Sequence, residues 1–174
     1  YFDKSKISPD PLEFLLLYPN ELDIEIAGII SSVFAYGNVK QIINSLEKIH
    51  KIMNYKPNEF LMNYSVKKGR RLLGNLKHRF YSSEDIVILF SILQKVYKKY
   101  GSLKNLFYKC YFENDADLKN AISIFSNEMI KYSGKGKDVS AGIKFMFPDP
   151  QKGSTCKRMN LFLRWMVRKD ELDF

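Results

Sequence analysis

The residues with types and spacing suited to chemistry lie near the end of the chain: Lys152-Gly153-Ser154-Thr155-Cys156-Lys157-Arg158-Met159-Asn160. Glycine takes φ > 0 and lets another backbone come close. Serine and threonine are good helix N-caps, and a helix start with its unpaired N–H groups attracts phosphate. Lys157 then stands in the first turn of a predicted helix, with Arg158 beside it. A lysine amine of pKa about 10.4 is mostly protonated near neutrality and is a poor nucleophile. Neighbouring cations such as Arg158 and Arg164, with partial burial, would activate it.

The helix that carries this lysine is patterned. Met159, Phe162, Leu163 and Met166 recur at helical spacing and predict an apolar face. Lys157, Arg164 and Arg168 fall together on another face, a basic stripe suited to a polyanion. A second group lies upstream. Lys67-Lys68-Gly69-Arg70-Arg71 is the densest basic run, read either as a solvated loop or as a clamp on backbone phosphates. His78-Arg79-Phe80 then combines an imidazole, a guanidinium and an aromatic ring, a mix suited to a pocket for an unstacked base.

The elements that must position these residues read as helices throughout. Asp10-Pro11 starts a short one, and Glu21 starts one that is apolar nearly all round and therefore central. In it, Gly28 and Ala35 would allow close helix approach. Val39 to Met53 is amphipathic, and a short helix follows around Glu59 to Tyr64. Ser82-Ser83-Glu84-Asp85 is an N-terminal signal, Gly101 a stop and Ser102 a new cap. Glu113-Asn114-Asp115 predicts the next start, and Asp138 to Phe147 one more helix. Ser133-Gly134-Lys135-Gly136-Lys137 is a basic linker or phosphate-facing loop, but it lacks the P-loop pattern. No strand alternation persists, so the expected class is all-α, with about eight to ten short helices in one domain spanning 1–174 and the hairpin and following helix at 150–168.

Composition limits the function classes. The 174 residues carry a net charge of +9, which favours nucleic acid or another anionic partner. A lysine-rich composition bias would give the same charge without nucleic-acid binding. No apolar run is long enough for a membrane span. Two cysteines make no disulfide framework, and no Cys/His spacing suggests zinc; a reducing cytoplasm fits, with no cofactor and no metal expected. The opening Tyr1-Phe2-Asp3 has no initiator methionine, so truncation there is expected.

Two resemblances follow from these residues. Gly153 through Leu163 resembles the hairpin and second helix of helix-hairpin-helix DNA glycosylases, where the endonuclease III branch reads Gly-Val-Gly-Arg-Lys-Thr-Ala-Asn-Val-Val-Leu. Gly153, Lys157 and Asn160 coincide with it, and Thr155 stands where the second hairpin glycine is expected. Ile7 to Phe14, Asp23 to Gly28, Ala35 to Val39, Lys77 to Phe80 and Gly153 to Arg168 are similar to a bacterial family of conserved hypothetical proteins, a domain of unknown function. That family resembles these glycosylases, with archaeal 8-oxoguanine glycosylase as a neighbour.

The glycosylase resemblance implies duplex DNA as partner, a damaged base flipped between two helical lobes, and Lys157 as Schiff-base nucleophile. On it, Gly153, Ser154, Thr155, Arg158, Asn160, Arg164 and Arg168 are expected DNA contacts, and His78, Arg79 and Phe80 the base pocket. It further implies a catalytic aspartate in a Val/Leu-Asp-Thr-His-type segment after the hairpin helix. Asp170 and Asp173 stand outside that context, so the chain is expected to be cut at its C-terminus too, inactive alone, and monomeric. The alternatives are a non-catalytic nucleic-acid-binding module and a basic helical domain that engages another protein.

Overall fold

The computed structural model describes residues 9–134 and 136–167, and among them the protein is all-helical, with no strand. The order is a 3-10 turn Pro11–Leu17, α1 Glu21–Phe34, α2 Val39–Ile52, α3 Pro57–Met62, α4 Val66–Leu73, α5 Ser83–Tyr100, α6 Leu103–Cys110, α7 Lys119–Lys131, a 3-10 turn Gly136–Asp138, α8 Ala141–Met146, a 3-10 turn Pro150–Lys152 and α9 Lys157–Val167. These divide into two compact units. The described residues up to Phe60 and those from Lys157 onward form one, and Leu61–Cys156 form the other.

In the first unit, α1 is the buried centre that its sequence predicts. Every residue from Ile24 to Phe34 is buried. Asn20 caps it by accepting from the Asp23 amide at 2.9 Å. α9 crosses α1 at Gly28, where an added Cβ would meet Met166, Leu15 and Phe162. Leu12, Leu15, Tyr18, Ile24, Ala27 and Trp165 close this core. Full burial of one such side chain stabilises by about 1.5–3 kcal/mol. α2 adds Ile42, Leu46 and Ile49, and also His50, which is fully buried. The His50 ring stacks on Phe14 at 4.8 Å and shares a hydrogen bond with the Tyr18 hydroxyl through Nδ1.

In the second unit, α5 is the centre. Its start is a capping box: the Ser82 hydroxyl accepts from the Asp85 amide at 3.1 Å, and the Asp85 carboxylate accepts from the Ser82 amide at 2.8 Å. Gly101 ends α5 at φ +80. Gln94 closes the end of α3, its Nε2 donating to the carbonyls of Leu61 at 3.0 Å and Tyr64 at 2.7 Å. Asp85 also accepts from the hydroxyl of Ser140, the N-cap of α8. One buried carboxylate therefore holds two helix starts. Gly142 makes this approach feasible, since a Cβ there would overlap the carboxylate.

Two expectations need correction. Lys67 to Arg71 is not a loop; it is most of α4, capped by Ser65, whose hydroxyl accepts from the Lys68 amide at 3.2 Å. Gly69 inside the run packs against the Tyr64 ring, and Tyr64 donates to the Val87 carbonyl at 2.7 Å, fastening α4 to α5. α7 begins at Lys119, not at Glu113. The acids there fold a turn instead: Asp117 accepts from the Lys119 amide at 2.8 Å and Asp115 from Asn120 Nδ2 at 3.0 Å. Such local side-chain bonds compete with helix.

Candidate nucleic-acid interface

Lys157 is the first residue of α9 and is exposed. Asn160 and Arg164 follow at three and seven residues, so the three share a solvent-facing strip of the helix. Arg168, expected to extend that strip, lies outside the described residues. The buried face of α9 is Met159, Phe162 and Trp165; Leu163 and Met166 are only partly covered. The apolar face is thus turned toward Trp165 from the position that Leu163 predicts.

Arg158 takes a different direction. It is half-buried and donates to the Val33 carbonyl at 3.3 Å, with its guanidinium 5.1 Å from the Tyr36 ring centroid. Val33 lies in the last turn of α1, where carbonyls have no intrahelical partner and the helix dipole favours a cation. Arg158 therefore anchors α1 to α9.

The turn before α9 is described within the second unit. Asp149 caps Pro150–Lys152, and Gly153 ends that 3-10 turn at φ +84, the left-handed conformation its sequence predicts. Burial opposes ionisation of Asp149. Hydrogen bonds from Ser123 at 2.7 Å, Asn127 at 3.1 Å and the Gln151 amide, with Lys152 nearby, outweigh it and hold the carboxyl below the usual range. The Ser154 hydroxyl accepts from the Cys156 amide at 3.2 Å, and Cys156 itself occupies the position before the helix at φ +48. Its buried thiol points to the Pro148 carbonyl at 3.4 Å, and burial raises its pKa, so it is no ready nucleophile. Thr155 is exposed.

His78, Arg79 and Phe80 form a tight turn. The amide of His78 donates to the Tyr81 carbonyl at 3.2 Å, and the Tyr81 amide donates back at 2.9 Å. His78 and Tyr81 are buried anchors. Between them, Arg79 is held at φ +52, a left-handed conformation costly for a residue with a Cβ, and Phe80 stands 70% exposed. The three residues therefore do not share one pocket: the imidazole points inward while Arg79 and Phe80 project. Phe145 of α8 joins them, its ring edge-on to Phe80 at 6.0 Å, and the Arg79 guanidinium lies 5.8 Å from the Phe80 ring. The sequence does not single out Phe145, because an aromatic within Phe145-Met146-Phe147 reads as core. α4 adds exposed Lys67, Arg70 and Arg71, with Arg70 in a bidentate pair to Glu84 at 2.7 and 3.1 Å. Among the described residues no group of histidine, cysteine and acid side chains could hold a metal ion.

A family profile for a protein of unknown function, DUF2400, matches residues 10–174. The chain belongs to the DUF2400 family. No curated protein and no solved structure matches it. The expected membership of a family of unknown function is thereby borne out, while no match bears on its resemblance to DNA glycosylases. No described helix is long and apolar enough to cross a membrane.

Proposed function

We propose that this member of the DUF2400 family is a DNA-binding protein of the base-excision type, a glycosylase/lyase that presents Lys157 to a flipped, damaged nucleotide. The observation that supports the reading most is the exposed strip Lys157, Asn160, Arg164 at the start of α9. A lysine there is open to a substrate, and the strip offers a cation and an amide to the phosphates around it. The projecting Arg79-Phe80 turn with Phe145 gives a second surface, with aromatic faces on which an unpaired base can stack.

The chemistry is displacement at the sugar. The neutral Lys157 amine attacks C1′ and the base leaves with the bonding pair and takes up a proton; the nitrogen then loses a proton, the C1′–O4′ bond breaks, and O4′ takes up a proton as the ring opens to a protonated Schiff base. Borohydride reduces that imine to a stable amine, so a trapped covalent complex reports the step. Reductive trapping on duplexes bearing an abasic site or 8-oxoguanine is the test.

One observation favours a second reading, nucleic-acid binding without chemistry. Arg158, expected to help activate Lys157, is held by Val33 and Tyr36. On this reading Lys157→Gln weakens binding slightly and abolishes nothing else.

A further inference from the structure

Lysines gather on two tyrosine rings where α5 ends. Lys99 Nζ lies 5.1 Å from the Tyr100 ring centroid and 5.4 Å from that of Tyr132, and donates to the Tyr132 hydroxyl at 2.8 Å. Lys109 of α6 places its Nζ 5.3 Å from the Tyr100 ring. Lys95, one turn before Lys99, donates to the Tyr132 carbonyl at 2.9 Å, at the C-cap of α7. The two tyrosine hydroxyls are 3.2 Å apart. Significant cation–π contacts occur about once per 70–80 residues. Three contacts within cation–π distance, two of them from Lys99, fall on these two rings.

The cluster is not neutralised from within. Lys95, Lys99 and Lys109 form no ion pair with a carboxylate among the described residues. The acid facing Tyr132 is Glu128, and it is paired with Lys131 at 3.2 Å. Hydrogen bonds to Tyr132 and Tyr100 hold Lys99 above the usual lysine range, so it stays charged. Each ammonium offers three donors, more than the neutral oxygens here accept.

We propose that Lys95, Lys99 and Lys109, ordered by Tyr100 and Tyr132, form a phosphate-binding site for a nucleic-acid backbone on the second unit. The inference rests on the nucleic-acid reading above and adds a contact surface built from other residues. Three fixed cations without an internal counter-charge fit a phosphodiester chain, with its regularly spaced charges, better than an isolated carboxylate.

The test is fluorescence anisotropy of the full chain with labelled duplex and single-stranded oligonucleotides over a range of salt. The double variant Lys99→Gln/Lys109→Gln should lose about tenfold in affinity at low salt and lower the slope of log K against log salt by about 2, close to 0.9 per lost duplex contact. Tyr132→Phe, which keeps every charge, should lose a smaller factor. Lys40→Gln, on the exposed side of α2, should bind as the wild type does. Circular dichroism melts identify any variant that fails to fold, in which case Tyr132→Phe carries the decision. Wild-type affinity and slope in the folded double variant overturn this site and leave the nucleic-acid reading standing. No binding by the wild type at low salt overturns both. Lys99- and Lys109-dependent binding of polyglutamate, with oligonucleotide binding unchanged, overturns the site in favour of an acidic protein partner.

Discussion

Arg158 and Lys157 are neighbours in sequence with opposite environments. Arg158 satisfies a carbonyl at the end of α1 and stacks on Tyr36, so it belongs to the packing of its unit. Arg158→Ala should destabilise by about 2 kcal/mol, the range for a charge-assisted hydrogen bond with a cation–π contact, read from urea unfolding at constant m. His50 gives a pH prediction. Burial pushes its pKa down to about 4 from 6.5. The unfolded chain therefore binds more protons than the folded one between those values. Stability is fully present above pH 6.5 and falls as pH drops toward about 4, by roughly 3 kcal/mol at most. His50→Phe should remove that part of the acid slope while stranding the Tyr18 hydroxyl at all pH values. Urea unfolding of both proteins at pH 7 and pH 4.5 checks it; parallel losses in both would sink the assignment.

At the scale of elements, two glycines sit where helices come close, and they differ in what an added methyl would meet. At Gly142 the obstacle is the buried Asp85 carboxylate that caps α5 and α8. At Gly28 it is chiefly the tip of the flexible Met166 side chain. Gly142→Ala should cost about 2–3 kcal/mol, through displaced buried hydrogen bonds, and Gly28→Ala clearly less. Thermal melts of the two variants compare them directly, and equal costs would refute the role given to Asp85. Most of this level was readable from the sequence. Asp10-Pro11, Ser82 with Asp85, Gly101 and Ser102 act locally, so their types alone predict the caps that form. Asp85 as a bridge between α5 and α8 was not readable, since Ser140 is 55 residues away in the chain. The Lys67–Arg71 run hid a helix because charge masked its Ser65 cap and the Gly69 contact. Glu113-Asn114-Asp115 looked like a helix start because acids suit first turns as well as turns.

For the molecule as a whole, the net charge of +9 is not spread without pattern. Cations recur on α4, on the Arg79 turn, on the tyrosine cluster and along α9. The candidate site was legible only in part. Lys157, Asn160 and Arg164 share a strip because helical spacing dictates it, whereas Arg158 and His78 turned inward for reasons that lie in distant partners. If the charge serves nucleic acid, affinity for a duplex should fall steeply with added salt, by powers of ten between 50 and 200 mM for about six or more phosphate contacts. Lys157 carries the central claim, and reductive trapping tests it most directly. The full-length protein is incubated with sodium borohydride and duplexes carrying an abasic site or 8-oxoguanine, beside Lys157→Gln. The predicted result is a covalent protein–DNA complex with the wild type and none with Lys157→Gln. The absence of any adduct on every lesion tried, or an adduct that persists in Lys157→Gln, would contradict it.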